Sequence, residues 1–332
     1  MSQPRVIITA PVPADLREQI AARCEIIDVP AGNSLVEALD KEQLASIDGI
    51  ICTMRSKFDE SVLDAFPRLR VVSNFAVGYD NVNVPAATAR NVLVCNTPKV
   101  LDEAVADLTF GLLICVARNM INIDAHVRSG AWASKGAPAL THDIRGKTLG
   151  LLGMGRIGRV VAETAKAFNM KVIYHNRTRN TDAEAAGVAE YRDRDALFAE
   201  SDFLSIHIPL NQETRHSVGA KEFSAMKPTS YLLNTARGPV VDETALIEAL
   251  KNGEIAGAGL DVMEQEPLPA SSPLCEMPNV VLQAHVGSGT VETRRAMIDL
   301  AVRNLLDAIT DTQPQAMVNP EVWTARSETT NA

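Results

Sequence analysis

Gly153, Gly155 and Gly158 separate an apolar run from a segment with helical spacing, and this arrangement restricts the fold more than any other feature of the chain. The run at 148–152 has the length and composition of a buried strand. The residues after Gly158 carry apolar side chains at helical intervals. A strand, a glycine turn and a helix in this order begin a βαβ unit, whose next strand lies parallel to the first. The sequence therefore predicts an α/β fold built around a parallel sheet.

Apolar runs of strand length recur on both sides of this loop and alternate with helix-length segments. In the first hundred residues the predicted strands are 6–9, 49–52, 71–74 and 92–95. Further along the chain they are 148–152, 171–175, 203–207, 231–235, 258–262 and 280–284. Six strands in the second series suit a complete doubly wound domain that binds a dinucleotide.

The chain has 332 residues, more than one compact core usually supports, so we expect two domains. An apolar helix predicted over 103–129 precedes the second series of strands, and helical spacing returns after position 287. We therefore predict two doubly wound parallel-sheet domains, one inserted into the other. Residues 100–287 form a Rossmann domain, while residues 1–99 and 288–332 form a split, flavodoxin-like domain.

Composition excludes several classes of partner. The chain has 32 basic and 41 acidic residues and a net charge of −9, which disfavours binding to nucleic acid or to an anionic membrane. The longest uncharged run of the apolar helix, 108–117, is too short to cross a bilayer. Five widely spaced cysteines fit neither a disulfide framework nor a zinc site, and we expect no metal. Because the first residues lack the features of a signal peptide, the sequence predicts a cytoplasmic protein.

Each glycine of the loop has a physical task in a phosphate-binding turn. Gly153 permits the tight turn, Gly155 lets the backbone approach a pyrophosphate, and Gly158 allows the helix to pack closely on its strand. The N-terminus of the helix then presents free N–H groups and the positive end of its dipole. We therefore predict that a dinucleotide binds the loop Gly153, Met154, Gly155, Arg156, Ile157 and Gly158.

The end of the next predicted strand indicates which dinucleotide binds. Loops of this kind that bind NAD usually place an acidic residue about 20 positions further on, where it accepts a hydrogen bond from the ribose 2′-OH. Here the strand runs into Asn176, Arg177, Thr178 and Arg179. A neutral Asn176 does not repel a 2′-phosphate, and the two arginines can pair with one, which favours NADPH while NADH remains possible. The alternative that both arginines only face solvent stays open.

Polar side chains follow three consecutive strands of the second series. Arg237, Glu266 and His285 each come shortly after a predicted strand, on the side of a parallel sheet where ligands bind. An arginine can form two hydrogen bonds with a carboxylate. A histidine can donate or accept a proton near neutral pH, and a neighbouring glutamate favours its charged form. This set is suited to redox chemistry on a carbonyl.

The order of these segments resembles one enzyme family. GMGRIG, NTARGPVVDE, GLDVMEQEPLP and QAHVGS, with FAVGYDNVNV in the first domain, are similar to the D-isomer-specific 2-hydroxyacid dehydrogenases over nearly the whole chain. The resemblance implies that Arg237, Glu266 and His285 are catalytic. His285 would give a proton to the substrate oxygen while hydride passes between the nicotinamide and the substrate. Glu266, rather than its neighbour Glu264, matches the family position because proline follows it.

The resemblance also implies the remaining contacts. The backbone N–H groups of Val77 and Gly78 would bind a substrate carboxylate, and Arg55 and Arg294 lie in segments that set substrate size. The cofactor would further contact His207, Pro209, Thr235, Ala236, Arg237, Asp261, His285 and Gly287. The family extends an arm near Trp132 across a homodimer formed by the nucleotide domain, so we expect a homodimer here.

Within the family, the Asn-Arg-Thr-Arg segment is most similar to NADPH-preferring glyoxylate/hydroxypyruvate reductases. The expected reaction is reduction of a small 2-keto acid to the D-2-hydroxy acid. A 2-ketogluconate reductase, an aryl pyruvate reductase and formate or phosphite dehydrogenases remain alternatives, although the missing acidic residue suits NAD-dependent oxidation poorly. A corepressor-like protein that senses NAD(P) is the alternative without turnover, because the same fold can serve binding alone.

Overall fold

Strands and helices alternate throughout the computed structural model, which describes residues 3–29 and 35–330. The chain divides into two compact units. The first consists of Met1–Val100 with Val291–Ala332, and the second of Leu101–Thr290. The junctions lie one and three residues after the predicted boundaries at 99/100 and 287/288. The second unit therefore interrupts the first in sequence.

The first unit begins with a parallel sheet and its connecting helices. Its described elements are β1 (Arg5–Ile8), α1 (Ala14–Ala21), β2 (Glu25–Ile27), α2 (Lys41–Leu44), β3 (Ile47–Cys52), α3 (Glu60–Asp64), β4 (Val71–Asn74), α4 (Val84–Ala89) and β5 (Leu93–Cys95). These five strands pair in parallel, in the order β2-β1-β3-β4-β5. This is the flavodoxin-like strand order, and it confirms the predicted fold of the unit.

The second unit carries the longer series. Its described elements are α5 (Asp102–Ala117), α6 (Met120–Arg128), α7 (Ala131–Lys135), β6 (Thr148–Leu152), α8 (Arg156–Ala165), β7 (Lys171–His175), α9 (Thr181–Ala185), β8 (Glu190–Tyr191), α10 (Arg194–Glu200), β9 (Phe203–Ile206), α11 (Ala220–Ala225), β10 (Tyr231–Asn234), α12 (Glu243–Asn252), β11 (Gly257–Leu260) and β12 (Val280–Leu282). Short 3₁₀ turns lie at Lys166–Phe168, Gly238–Val240 and Pro273–Glu276.

The seven strands of the second unit form one parallel sheet in the order β12-β11-β10-β9-β6-β7-β8. From β6 the chain moves outward to β7 and β8, then returns to the other side of β6 with β9. This reversal is the topological switch point of a doubly wound sheet, beside which ligands bind at the carboxyl ends of the strands. The glycine loop follows β6, directly at that point. The predicted Rossmann fold is confirmed.

The prediction of a single helix over 103–129 is wrong. Two helices, α5 and α6, cover this stretch and meet at a 60° bend. Asn119 lies at the break with a left-handed φ of 47°, a conformation that asparagine tolerates better than most residues. In the described part of the chain no single helix is long and apolar enough to cross a membrane, and only this bent pair satisfies those criteria when its two helices are combined.

The last two helices complete the first unit. They are α13 (Val291–Ile309) and α14 (Pro320–Thr330). Helix α13 packs against β3 and β4, and a Cβ added at Gly49 of β3 would lie 2.7 Å from Leu305. The hydroxyl of Ser73 in β4 donates a hydrogen bond to the carbonyl of Ala301. Helix α13 is therefore an integral part of the first unit's core.

We predict that Gly150→Ala destabilises the second unit. A Cβ at this position of β6 would lie 1.9 Å from the buried Ser201 hydroxyl, and such overpacking costs about 1–3 kcal/mol. Gly111→Ala in α5 is the matched control. In the described structure its Cβ meets nothing within 4 Å outside its own helix, and the change should stabilise by about 0.5–1 kcal/mol. Thermal unfolding of both variants tests the packing, and equal shifts would contradict it.

Candidate active site

The glycine loop has the close contacts that a phosphate-binding turn requires. Gly153 adopts a φ of 108°, and a Cβ there would lie 2.7 Å from the carbonyl carbon of His207. A Cβ at Gly158 would lie 2.3 Å from the Gly153 carbonyl oxygen, so the first turn of α8 packs tightly on the loop. By contrast, a Cβ at Gly155 would have no described atom within 4 Å. The loop is thus closed on the strand side and open at Gly155.

The N-terminus of α8 is suited to bind an anion. Gly155 is its N-cap, and no side chain caps the first turn. The N–H groups of this turn and the helix dipole can therefore interact with a pyrophosphate group. Arg156 lies in the same turn, and its Nε donates a 3.1 Å hydrogen bond to Asp102 at the start of α5. The open Gly155 and the uncapped helix fit a dinucleotide.

Two asparagines after β7 bind the backbone of the glycine loop at Met154. The Oδ1 of Asn176 accepts a 2.6 Å hydrogen bond from the backbone N–H of Met154. The Nδ2 of Asn180 donates to the Met154 carbonyl at 3.2 Å, while its Oδ1 caps α9. Asn176, predicted as a cofactor contact, therefore also fixes the loop backbone. The role of Asn180 was not predicted, and its only sequence signal is a position suited to the N-cap of α9.

The two arginines that follow β7 have different surroundings. Arg179 forms an ion pair with Glu184, and its guanidinium lies 4.9 Å from the centre of the Tyr191 ring. The Arg177 side chain is 87% exposed, and its Nη1 lies 3.3 Å from Glu213, whose side chain is 77% exposed. Because exposed ion pairs contribute little, Arg177 can turn toward a ligand at small cost. Thr178 between them is exposed.

The strand β9 ends beside the loop and adds a neutral histidine. The His207 N–H donates to the Leu152 carbonyl, and the His207 ring lies 2.8 Å from the Ser205 hydroxyl. Burial lowers the pKa of His207 to about 4, so this ring is uncharged at neutral pH. Pro209, two residues on, is exposed, and its carbonyl accepts a hydrogen bond from Thr214.

Parallel register brings the three predicted catalytic segments to one edge of the sheet. Asn234 of β10 pairs with Leu260 of β11, which in turn pairs with Leu282 of β12. The loops after these residues carry Arg237, Glu266 and His285. These loops also contact one another, because a Cβ at Gly238 would overlap the backbone carbonyl of Met263.

The segment that carries Arg237 is held by a buried asparagine. The side chain of Asn234 accepts from the N–H of Ala236 and donates to the carbonyl of Arg237. The Thr235 hydroxyl lies 3.0 Å from the Thr109 hydroxyl of α5. Because Thr109 donates to the Val105 carbonyl, its oxygen is left to accept from Thr235. Thr235 and Ala236, both predicted cofactor contacts, are thus fixed in orientation.

His285 and Glu266 form a hydrogen-bonded pair. The Nδ1 of His285 donates to Oε2 of Glu266 at 2.7 Å, and the other oxygen of Glu266 accepts from the N–H of Met263 at 3.1 Å. Burial favours the neutral carboxyl, but the hydrogen bond and charge of His285, the Met263 N–H and the charge of Arg237 together lower the pKa of Glu266. Glu266 is therefore an anion that orients the imidazole and leaves Nε2 available for proton transfer.

The neighbouring Glu264 belongs to a different histidine–glutamate pair. The Glu264 carboxylate accepts from His216 at 2.6 Å and from the N–H of Glu243, and the Glu264 N–H donates to the Glu243 carboxylate. His216 lies in the loop before α11, away from the ends of β11 and β12 in sequence. Of the two glutamates, Glu266 is the one paired with His285, as the Glu-Pro pattern implied.

Asp261 fixes the backbone on which His285 stands. Its carbonyl accepts from the N–H of His285 at 2.7 Å, and its carboxylate accepts from the N–H groups of Val286 and Gly287. His285 itself has a left-handed φ of 56°, which an L residue adopts only when its surroundings hold it there. Burial raises the pKa of Asp261 despite these hydrogen bonds. Asp261 was predicted to contact the cofactor, and in the structure both of its carboxylate oxygens accept hydrogen bonds from the loop backbone.

The remaining predicted site residues belong to the first unit. Val77 and Gly78 lie in the loop after β4, Arg55 is exposed in the loop after β3, and the Arg294 guanidinium lies 5.5 Å from the centre of the Phe75 ring. Within the described residues neither the Val77 N–H nor the Gly78 N–H donates a hydrogen bond to the protein. Two adjacent free donors can bind one carboxylate.

The second unit can therefore bind a dinucleotide and present an arginine and a histidine–glutamate pair to a substrate. In the described structure no group of three or more His, Cys, Asp or Glu side chains is arranged to hold a metal ion. Asp102, which pairs with Arg156, was missed by the sequence analysis, since only the packing of α5 on α8 brings them together.

Comparisons with known proteins agree with this arrangement. The family model for the NAD-binding domain of D-isomer specific 2-hydroxyacid dehydrogenases matches residues 110–287. A glyoxylate reductase of Thermococcus litoralis is 42% identical over 97% of this chain and 99% of its own length. A glyoxylate/hydroxypyruvate reductase B of Salmonella typhi is 43% identical over 96% of this chain and 99% of its own.

Solved structures extend the similarity to three dimensions. The NADPH-dependent glyoxylate/hydroxypyruvate reductase of Sinorhizobium meliloti, in complex with NADP and malonate, is 37% identical with a TM-score of 0.87. The alignment covers 96% of this chain and 97% of that one. Sequence, fold and site geometry together show that the chain belongs to the D-isomer-specific 2-hydroxyacid dehydrogenase family.

Proposed function

We propose that this protein reduces glyoxylate or hydroxypyruvate to the corresponding 2-hydroxy acid, with the D configuration where the product is chiral, using NADPH as the hydride donor. The observation that carries the proposal is the 2.7 Å pair of His285 and Glu266, next to Arg237 at the carboxyl ends of three adjacent parallel strands. Its relatives named glyoxylate and glyoxylate/hydroxypyruvate reductases, matched over almost their full length, support this substrate class.

The cofactor, when bound, supplies the hydride. Residues of the second unit that would hold it are the glycine loop, the N–H groups that begin α8, and the segment Thr235–Ala236–Arg237. Asn176 and Arg177 would face the adenosine ribose. Asp261 would act through the loop of His285 and Gly287, which it binds.

The chain's own residues then handle the substrate's charge and proton. Arg237 would pair with the substrate carboxylate and polarise the keto oxygen. As the family resemblance implies, the N–H groups of Val77 and Gly78 would bind a substrate carboxylate, with Arg55 and Arg294 setting which substituents fit. As hydride reaches C2, the electron pair of the C=O bond moves to oxygen, which takes a proton from Nε2 of His285. Glu266 stabilises the imidazolium before this transfer.

Oxidation of NADPH in the presence of 2-keto acids tests the proposal. We expect turnover with glyoxylate and hydroxypyruvate, weaker turnover with 2-ketogluconate or aryl pyruvates, and a loss of about 10²–10⁴-fold in kcat for His285→Ala, because general acid catalysis is removed. His216→Ala is the matched control, since it breaks the other histidine–glutamate pair and should retain activity. NADPH binding by the His285 variant, followed by fluorescence, should persist.

Absence of turnover with any 2-keto acid would overturn the proposal and favour a protein that senses NAD(P) without catalysis. Turnover retained by His285→Ala would remove that residue from the role of proton donor.

The preference for NADPH rests on Arg177 more than on Arg179. Arg179 is committed to Glu184 and to the Tyr191 ring, while the pair of Arg177 with Glu213 is exposed on both sides. No carboxylate occupies the position of Asn176, whose amide oxygen accepts from the Met154 N–H. Arg177 is thus the cation that can reach a 2′-phosphate at low cost.

We predict that Arg177→Ala raises KM for NADPH about tenfold or more, the loss of one charge-assisted hydrogen bond, with little change for NADH. Arg179→Ala is the paired variant, and its effect on the ratio of the two cofactors should be smaller. Steady-state kinetics with both cofactors measures the ratio. A wild-type protein that uses NADH better, or an equal change for both cofactors in Arg177→Ala, would refute the assignment.

A homodimer through the second unit completes the proposal. Large apolar side chains are exposed along α6, α7 and the segment after them: Ile121 is 57% exposed, Trp132 59% and Leu140 100%. Beside them lies a cavity of about 310 Å³ that Ile121 and Leu140 help to line. Large apolar side chains exposed in neighbouring segments favour an interface here. Two copies of the same surface can pair about a twofold axis, as the family resemblance implies.

We predict that the double variant Ile121→Asp/Leu140→Asp is monomeric at micromolar concentration, because it places charges in the proposed interface. Val291→Asp is the control, since Val291 is 83% exposed but belongs to the first unit. Size-exclusion chromatography with light scattering gives the mass. A monomeric wild-type protein, or a dimer that survives the double change, would contradict this surface.

A further inference from the structure

In the loop after β4, hydrogen bonds define the orientation of successive peptide groups. Phe75 donates to the carbonyl of Cys52 and Ala76 to that of Asn74. The next two N–H groups, of Val77 and Gly78, have no acceptor within the described residues. The carbonyls of Ala76, Val77 and Gly78, however, each accept a hydrogen bond from the protein.

The carbonyl bonds determine the direction of the free N–H groups. In a trans peptide the C=O of one residue and the N–H of the next point in opposite directions. The Ala76 carbonyl accepts from the N–H of Thr97 at 2.8 Å, which fixes the Val77 N–H. The Val77 carbonyl accepts from Nδ2 of Asn96 at 2.7 Å, which fixes the Gly78 N–H. Of these two contacts, only the one from Asn96 comes from a side chain.

Asn96 is itself held in place by its surroundings in the first unit. It follows β5 and is buried. Its backbone carbonyl accepts from Nδ2 of Asn304 on α13, and its N–H donates to the Ala316 carbonyl. Asn304 is also buried, and its Oδ1 accepts from the N–H of Ala316. A buried amide network therefore links α13 to the loop.

On the other side of the loop Asn74 performs a similar task. Its Nδ2 donates to the Gly78 carbonyl at 2.8 Å and to Oδ1 of Asn81 at 3.1 Å. Asn81 in turn donates to the Ser56 carbonyl. Asn74 thus fixes the peptide after Gly78, while Asn96 fixes the peptide that carries the Gly78 N–H.

We propose that Asn96 is a positioning residue for the reaction: through the Val77 carbonyl it holds the Gly78 N–H in the direction that binds the substrate carboxylate. This inference rests on the proposed function, in which Val77 and Gly78 bind that carboxylate. Asn96 does not touch the substrate and acts only by preventing the Val77–Gly78 peptide from turning over. Its loss therefore weakens substrate binding and leaves cofactor binding unchanged.

The test compares Asn96→Asp with Asn96→Ala. The aspartate has nearly the same shape but replaces the donor with an acceptor that repels the Val77 carbonyl, whereas alanine only removes the donor. We expect KM for the keto acid and the inhibition constant of oxalate to rise about 10–100-fold in Asn96→Asp, the loss of one hydrogen bond to a charged group, and less in Asn96→Ala. In both variants kcat and KM for NADPH should change little.

Asn319→Asp is the matched control. Asn319 is another buried amide of the first unit, bound to the backbone of Val92 and Val94 and to Thr88, with no hydrogen bond to the loop. It should lower the melting temperature in the same way as Asn96→Asp but leave KM for the keto acid unchanged. If Asn96→Asp does not fold, the Asn96→Ala variant carries the comparison with Asn319→Ala.

The inference is overturned if folded Asn96 variants keep the wild-type KM, if Asn96→Ala is worse than Asn96→Asp as expected for lost packing alone, or if the Asn319 control raises KM equally. Each of these outcomes leaves the proposed function intact when the wild-type protein turns over glyoxylate. A wild-type protein without turnover contradicts the proposed function instead, and the direct binding of oxalate to the Asn96 variants then decides the positioning role separately.

Discussion

The chemistry of this protein depends on the parallel register of three strands. Because Asn234, Leu260 and Leu282 are paired across β10, β11 and β12, the loops that follow them start at the same edge of the sheet. Arg237, Glu266 and His285, the proposed catalytic residues, are carried by these loops. Two features restrict the conformations of these loops. There is no space for a side chain at Gly238, and Asp261 binds three backbone N–H groups. The sheet therefore determines where these three side chains lie, and the loops determine how they are oriented.

Much of the fold and of the candidate site could be predicted from the sequence, because the patterns that indicate them are local. The glycine loop, the six longer strands of the second unit and the order of Arg237, Glu266 and His285 follow from short patterns with known physical tasks. The missed strands β2 and β8 are short, lie at sheet edges and carry Glu25 and Glu190, so they lack the apolar signal of central strands. The break at Asn119 was also missed, because helical spacing continues on both sides of it.

What the sequence could not provide are contacts between distant residues. Arg177 and Arg179 look equivalent in sequence, and only the placement of Glu184 and Tyr191 gives them different surroundings. Asn96 and Asn304 are 208 positions apart and meet because α13 returns to the first unit. Polar residues of this kind have no periodicity to identify them. The cytoplasmic location stays a prediction of the sequence.

We propose that His285 and Glu266 act as one unit through their hydrogen bond. The most direct measurement is a double-mutant cycle on kcat/KM for glyoxylate with His285→Ala, Glu266→Gln and the combined variant. We expect the combined variant to be no slower than His285→Ala alone, because Glu266 contributes only through the imidazole. If the combined variant is instead slower by the product of the two single effects, the residues act independently and the proposed coupling is wrong.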